Sequence, residues 1–248
     1  MKRLTAYGCA LFLAAGAAWS TESRISYSAS AYGLDRDELL YVEKHVETWR
    51  EGRLTEREVR YEDPTGRLIA EKTVSYGETL EAPSFEMTDF RFGLREGAEV
   101  AGERVVLFSG PPTERLRSRS VERPKVAVID AGFDAFMREN FDSIVDGASI
   151  EFDFAVPALR RFVSFELIPR GEVTYRGQRA HLIKMRPASA LLRLIVDPID
   201  LTYSPDGRLL EFEGLANVLD EDGDRYEARI VFDYRSDEVA PALIGGAE

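Results

Sequence analysis

The sequence predicts a mainly antiparallel β protein of the α+β type, in which a curved sheet or incomplete barrel is packed around one amphipathic helix. Short segments that alternate apolar and polar residues recur along most of the chain, separated by turn-forming sequences rich in Pro, Gly and Asp. Only residues 132–147 show a strong helical period. We therefore expect one domain over residues 39–235, built from two runs of strands around that helix.

The first twenty residues are expected to be a secretory signal peptide. Lys2 and Arg3 precede an uncharged apolar run over residues 4–18, and small residues follow it, with Ala18 and Ser20 spaced as at a cleavage site. The run is shorter than the roughly 20 residues that span a bilayer. This pattern predicts a periplasmic or secreted protein of the bacterial cell envelope.

Removal of this segment would change the chemistry of the chain. The single cysteine, Cys9, lies inside it, so the mature chain would have no disulfide and no thiol nucleophile. The full chain has 32 basic and 44 acidic residues and a formal net charge of −12. Without Lys2 and Arg3 the net charge becomes −14. Such a surface repels phosphate backbones, so nucleic acid is not expected as a partner.

The segment after the signal peptide is the most ambiguous. Residues 21–38 are Ser-rich at first and are expected to be a flexible leader. Beyond them, Leu39, Val42, Val46 and Trp49 have helical spacing, and Asp35 with Glu38 could form a capping box. The same residues also alternate, and Glu51-Gly52 resembles a hairpin turn. We favour a strand over residues 40–50.

Strand signals then follow one another up to the helix. Residues 54–61 and 67–76 flank Asp63-Pro64-Thr65-Gly66, in which Pro presets φ and Gly accepts the positive φ that closes the turn. Residues 97–102 are expected to be a loop. The other predicted strands or extended segments are residues 84–92, 104–108, 116–121 and 125–129.

The predicted helix carries a clear apolar stripe. Its members are Phe133, Phe136, Met137, Phe141, Ile144 and Val145, which recur with a period of 3.6 residues. Asp130 is the expected N-cap, and Gly147 is expected just past the C-terminal end. With three phenylalanines, the stripe should lie against a large apolar surface.

After the helix the alternation returns. Residues 191–196 form an apolar run that fits a short helix or a strand, and residues 236–248 are expected to be a disordered tail. The predicted strands are residues 150–154, 162–168, 172–175, 180–185, 199–203, 208–213 and 225–234.

Two groups of residues resemble metal sites. In a strand, Glu43, His45 and Glu47 share one face, but the chain has only two histidines, His45 and His181, so a solvated charged face is the favoured interpretation. Asp220, Asp222 and Asp224 alternate as calcium ligands do. Arg225 and Val231 stand where an EF-hand needs Gly and Glu, so an acidic hairpin turn is favoured.

No residue is therefore predicted to be catalytic, to bind a cofactor or to bind a metal. The sequence lacks a P-loop, a dinucleotide-binding fingerprint and a nucleophile elbow. Its other notable feature is a set of phenylalanines on predicted strand faces, which would form either the core or the lining of an apolar cleft. They are Phe85, Phe90, Phe92, Phe108, Phe152, Phe154, Phe162, Phe165 and Phe212. Ligand-binding residues are not predicted individually.

The export signal, the long hairpins over residues 54–76 and 199–213, and the helix over residues 133–145 together resemble the lipoprotein-carrier group of envelope proteins. The resemblance implies an incomplete barrel that holds acyl chains, and hence a periplasmic binding or carrier protein for a lipophilic ligand. The alternatives are a non-enzymatic envelope scaffold or interaction protein with a filled core, and a hydrolase that uses two carboxylates. The deciding feature is whether the space between helix and sheet is hollow or filled.

Overall fold

The computed structural model describes residues 22–111 and 116–234, and within them the chain forms fifteen β-strands and one α-helix, α1, at Phe133–Val145. The strands of the first half are β1 (Glu22–Gly33), β2 (Leu39–Arg50), β3 (Arg53–Glu62), β4 (Leu68–Ser75), β5 (Ser84–Asp89), β6 (Leu94–Ala101), β7 (Arg104–Gly110), β8 (Arg117–Glu122) and β9 (Ala127–Val128). Those after α1 are β10 (Ile150–Val156), β11 (Arg161–Tyr175), β12 (Gln178–Pro187), β13 (Ile199–Tyr203), β14 (Leu209–Leu219) and β15 (Arg225–Asp233). Short 3-10 turns lie at Asp130–Gly132, Pro157–Leu159 and Leu192–Leu194.

All fifteen strands belong to one sheet, which confirms the predicted antiparallel fold class. Its order is β8-β7-β6-β5-β4-β3-β2-β1-β15-β14-β13-β12-β11-β10-β9. The sheet consists of a first meander, β1 to β8, and a second meander, β10 to β15, with β9 at the edge of the second. The two meanders are joined where β1 pairs with β15, with Ser28 opposite Asp233 and Gly33 opposite Ala228. Neighbouring strands are antiparallel except β9 and β10, which are parallel.

The sheet curls until its two ends approach each other. β8 and β9 lie at opposite ends of the strand order, yet only residues 123–126 connect them. An extended chain covers at most about 3.6 Å per residue, so the two edges lie within about 18 Å of each other. Across the interior, Arg225 of β15 forms an ion pair with Glu96 of β6 at 2.6 Å. The result is the curved, barrel-like sheet that the sequence predicts.

Helix α1 lies on the concave side of the sheet, as predicted. Its buried residues are Phe136, Met137, Phe141 and Ile144. They contact inward-facing residues of β10 to β13, among them Phe152, Leu167, Ile183, Leu201 and Tyr203. Gly147, with a φ of 107°, follows the helix and ends it as expected.

The expected N-cap at Asp130 is wrong. Gly132 occupies the N-cap position, with no side-chain capping hydrogen bond, and Asp130 instead begins the 3-10 turn that precedes α1. Its carboxylate forms an ion pair with Lys72 of β4 at 2.9 Å. Because the Asp130 carboxylate pairs with the buried Lys72, it does not cap the helix.

The flexible leader expected over residues 21–38 is also wrong, because residues 22–33 form β1 at the centre of the sheet. The strand has no large aliphatic residue after Ile25, and its buried positions are Ala29 and Ala31. Small residues fit beneath the bulky interior side chains but give little hydrophobic signal. The predicted signal peptide and tail lie outside the described residues.

Several predicted strand boundaries differ from the structure, and two of the differences involve glycine. Residues 97–101 are not a loop, because they complete β6. Residues 162–168 and 172–175 belong to one strand, β11, which is interrupted by a register shift between Pro169 and Gly171. Glycine suggests a turn in both places, but the structure uses it inside a strand. Gly97 allows a close approach of β5, and Gly171 lies at the bulge of β11.

Gly97 makes the close approach testable. A Cβ at this position would lie 2.2 Å from the carbonyl oxygen of Phe85 and 2.7 Å from Cζ of Phe108. The oxygen belongs to the backbone of β5 and cannot move cheaply, so Gly97→Ala is expected to lower the free energy of unfolding by about 1–3 kcal/mol or more. Gly77→Ala is the control, because a Cβ there meets no heavy atom within 4 Å. Urea denaturation of both variants measures the difference, and equal midpoints would contradict the packing described.

Candidate functional site

The inner face of β2 carries the first candidate group. Glu43, His45 and Glu47 share one face, as the strand interpretation predicts, but they are buried, so the favoured interpretation as a solvated face is wrong. Nε2 of His45 lies 2.8 Å from a carboxylate oxygen of Glu43. The ring of Tyr27 stacks on His45 with centroids 4.5 Å apart. These three side chains thus face the barrel interior, while Lys44 and Arg50 of the same strand are exposed.

Arg57 on β3 connects this group to the helix. Its guanidinium donates to Glu47 and to Asp134 in the first turn of α1, both at 2.6 Å. A second ion pair, between Lys72 and Asp130, joins β4 to the 3-10 turn. We call these residues the interior ion network: Glu43, His45, Glu47, Arg57, Lys72, Asp130 and Asp134. The network fixes the start of α1 against the first meander, while the apolar stripe of α1 packs on the second.

Within the network, the charged forms of Arg57 and Asp134 stabilise each other. Burial alone would lower the pKa of Arg57, but the surrounding Tyr27, Tyr76 and Asp134 raise this pKa well above its usual value. Burial alone would raise the pKa of Asp134, but the Arg57 guanidinium brings it below its usual value. Burial also raises the pKa of Tyr76 to about 12. The pKa of Arg57 and the pKa of Asp134 are thus shifted in the directions that favour a structural ion pair between them.

The other residues considered as metal ligands stand apart. The ring of His181 packs edge-on against Phe141, with centroids 5.8 Å apart, in the cluster between α1 and the second meander. Asp220 accepts hydrogen bonds from the backbone N–H groups of Asp222 and Asp224, which stabilise the turn between β14 and β15. Within the described residues, no group of three or more His, Cys, Asp or Glu side chains is placed to hold a metal ion.

The second candidate site is a cleft where the edges of the curled sheet approach each other, which we call the seam cleft. Its volume is about 470 Å³, within the range of small-molecule sites. Charged and polar groups form most of its lining, and Phe136 of α1 contributes an aromatic ring. The lining residues are Thr79, Glu81, Ala82, Glu103, Glu122, Arg123, Pro124, Lys125, Val126, Ala127, Phe136, Glu139 and Asn140. This site suits a polar ligand, and residues far apart in the sequence form it.

Among the described residues, aromatic and aliphatic side chains occupy the space between α1 and the second meander. The ring of Phe136 lies 5.0 Å from that of Phe152, and the ring of Phe141 lies 5.7 Å from that of Tyr203, measured between centroids. Phe90 and Phe92, expected on a strand face, are instead exposed near the turn between β5 and β6. Most of the predicted phenylalanines therefore serve packing.

Sequence reasoning missed the interior ion network and the seam cleft. Arg57 precedes Val59 and Tyr61 on the inner face of β3, and Lys72 lies between Ala70 and Val74 on β4. A charge within an apolar, inward-facing series is the signal that the sequence offers.

In the described parts of the chain, no helix is both long and apolar enough to cross a membrane.

Comparisons with known proteins add little to the geometry. No protein-family model matches the chain, and no curated protein matches it. Among solved structures, the chain is similar to a beta-barrel-like protein of the domain of unknown function DUF1849 from Brucella abortus, with a TM-score of 0.41 and 8% identity over 86% of this chain and 97% of that one. It is also similar to a DUF1329 family protein from Desulfovibrio piger, with a TM-score of 0.26 and 11% identity over 93% of this chain and 89% of that one. The barrel-like fold therefore rests on the strand order of this chain, and no family is assigned to it.

Proposed function

We propose that this protein is a non-enzymatic binding protein of the bacterial cell envelope, with a filled interior, that acts through its outer surface. The observation that carries the proposal is the packing of α1 on the second meander, where Phe136 and Phe141 are 5% and 7% exposed. An acyl chain held inside the barrel would need a continuous apolar cavity. The side chains that would line such a cavity contact each other instead. The envelope location rests on the signal peptide predicted over residues 1–20.

Carriage of a ligand is a second candidate, and the seam cleft favours it. Ala82, Ala127 and Phe136 offer an apolar contact, while Arg123, Lys125 and four glutamates surround it. Such a site would take a small polar or amphiphilic molecule rather than a long acyl chain. The same glutamates are the carboxylates that a hydrolase would need.

Native mass spectrometry tests the proposal. The chain beginning at Thr21 is purified from a bacterial envelope without detergent, and we expect the mass of the protein alone. A lipid that is bound in stoichiometric amount and is retained by Glu122→Arg would contradict a filled interior. If a bound molecule appears, Glu122→Arg distinguishes the two candidates, because Glu122 lines the seam cleft and loss of the ligand would place it there.

A further inference from the structure

The loop that joins β12 to β13 has the most exposed large aliphatic side chains among the described residues. Leu191, Leu194 and Ile195 are 73%, 79% and 78% exposed, and Val196 is 36% exposed. Single exposed apolar residues are ordinary, but four within six residues form a patch that marks an interaction site. We call residues 189–197 the apolar loop.

Four backbone N–H groups of the apolar loop are paired within the loop. The N–H groups of Arg193, Leu194, Ile195 and Val196 all donate to carbonyl oxygens within the loop, at 2.9 to 3.3 Å. In an apolar medium each unpaired amide is costly. The four internal hydrogen bonds therefore lower the cost of moving this part of the loop out of water.

The apolar loop contains two charged residues in its described range: Asp197 lies exposed at its C-terminal end, and Arg193, between the aliphatic side chains, is directed back to the sheet. The guanidinium of Arg193 donates to the carbonyl oxygens of Pro187 and Ala188, at 2.7 and 2.9 Å, and to the carboxylate of Glu166 at 3.0 Å. This leaves the aliphatic side chains alone at the tip. The arginine also holds the loop in place against β11 and β12.

The chemistry of the patch favours a lipid surface over a protein. Protein interfaces concentrate Trp, Tyr and Arg at their centres, whereas this patch offers only Leu, Ile and Val while its arginine is engaged elsewhere. The patch is also the tip of a loop rather than a groove. The net charge of −12 opposes approach to anionic lipids.

From these features we infer that the apolar loop docks the protein on a lipid bilayer with zwitterionic headgroups. Leu191, Leu194 and Ile195 enter the boundary between headgroups and acyl chains, and Arg193 remains paired at the base of the loop. This inference rests on the proposed function, since it names the partner of the outer surface. It predicts binding that depends on apolar contact rather than on charge.

Co-sedimentation with sucrose-loaded phosphatidylcholine vesicles tests the inference. The chain begins at Thr21, because the apolar segment over residues 4–18 would itself bind vesicles. The double variant L194S/I195S is expected to lower the partition coefficient at least about tenfold. Raising the salt from about 0.05 to 0.5 M should change the partition of the unaltered protein less than about twofold. Replacing half of the lipid by phosphatidylglycerol should weaken binding.

The matched control is L159S/L215S, which removes two leucines that are 51% and 49% exposed outside the apolar loop. It should bind vesicles like the unaltered protein. The inference is overturned if L194S/I195S binds equally well, or if the control loses as much binding. Light scattering measures the oligomeric state, because a second copy of this chain could also bind the apolar loop. A dimer that becomes monomeric in L194S/I195S would assign the loop to self-association instead.

The two proposals can fail separately. Absence of vesicle binding together with a ligand-free mass rejects the lipid surface but leaves the filled interior standing. A stoichiometric lipid that both L194S/I195S and Glu122→Arg retain, together with vesicle binding that L194S/I195S loses, rejects the filled interior but supports the loop as the docking element.

Discussion

Replacing Arg57 by alanine is expected to lower the free energy of unfolding by about 3–5 kcal/mol. The guanidinium is the shared partner of Glu47 and Asp134, at 2.6 Å from each, and its side chain is 6% exposed. Its removal leaves the buried Glu47 and the partly buried Asp134, whose side chains are 11% and 31% exposed, without their shared cation. The desolvation cost of these carboxylates, larger for Glu47, is then no longer offset. Chemical denaturation at neutral pH measures the loss.

Arg60→Ala is the control on the same strand. Arg60 pairs with Glu71 at 3.6 Å, and the two side chains are 56% and 44% exposed. An exposed pair of this kind contributes about 0–1 kcal/mol, so this variant should remain close to the unaltered protein. Equal losses in the two variants would show that burial of the Arg57 network does not matter for stability.

The Arg57→Ala effect should also depend on pH. In the unaltered protein the pKa of Asp134 is lowered by Arg57, so its contribution to stability is present above the unfolded pKa of about 3.9 and is lost as the pH falls through the folded value. Without Arg57, burial acts on Asp134 with only weaker opposition from Arg138 and His45. The stability difference between the two proteins should therefore be smaller at about pH 3 than at pH 7. A difference independent of pH would contradict this account.

Phe141→Ala should cost about 3–5 kcal/mol as well, for a different reason. The ring is 7% exposed and lies among His181, Tyr203 and the backbone of Gly207, so its loss leaves a cavity beneath α1. Phe90→Ala is the matched control, since that ring is 51% exposed. Urea denaturation should show a large shift for Phe141→Ala and a change within about 0.5 kcal/mol for Phe90→Ala. Similar losses in the two variants would mean that α1 does not pack as described.

The parts of the fold that the sequence predicts are those where one local period determines the structure. The stripe from Phe133 to Val145 could only be satisfied by a helix on an apolar surface, and the alternation around His45 predicted a strand. The sequence does not predict β1 as a strand, because the buried residues of β1 are alanines, which fit the interior but produce no hydrophobic period. Position within the sheet, rather than local composition, decides the structure there.

The candidate site could be predicted much less well, for a physical reason. A buried charge and a solvated charge look identical in an alternating strand, so Arg57 and Lys72 were recognisable only by their apolar neighbours on the same face. The seam cleft is assembled from residues between 79 and 140 by the curl of the sheet. The sequence shows the apolar run over residues 191–196. The exposure of that run depends on the turn at Leu192–Leu194, which the sequence does not specify.

The pairing of β1 with β15 imposes an order on the growing chain during translation. β1 can pair with β2 as soon as that hairpin has left the ribosome, but its other edge has no partner until residues 228–233 are made. For nearly the whole of synthesis the nascent chain thus carries an open strand edge in what becomes the centre of the sheet. Such edges invite aggregation and domain swapping. A chain that stops before β15 would keep two of them, on β1 and β14, however well each meander had folded.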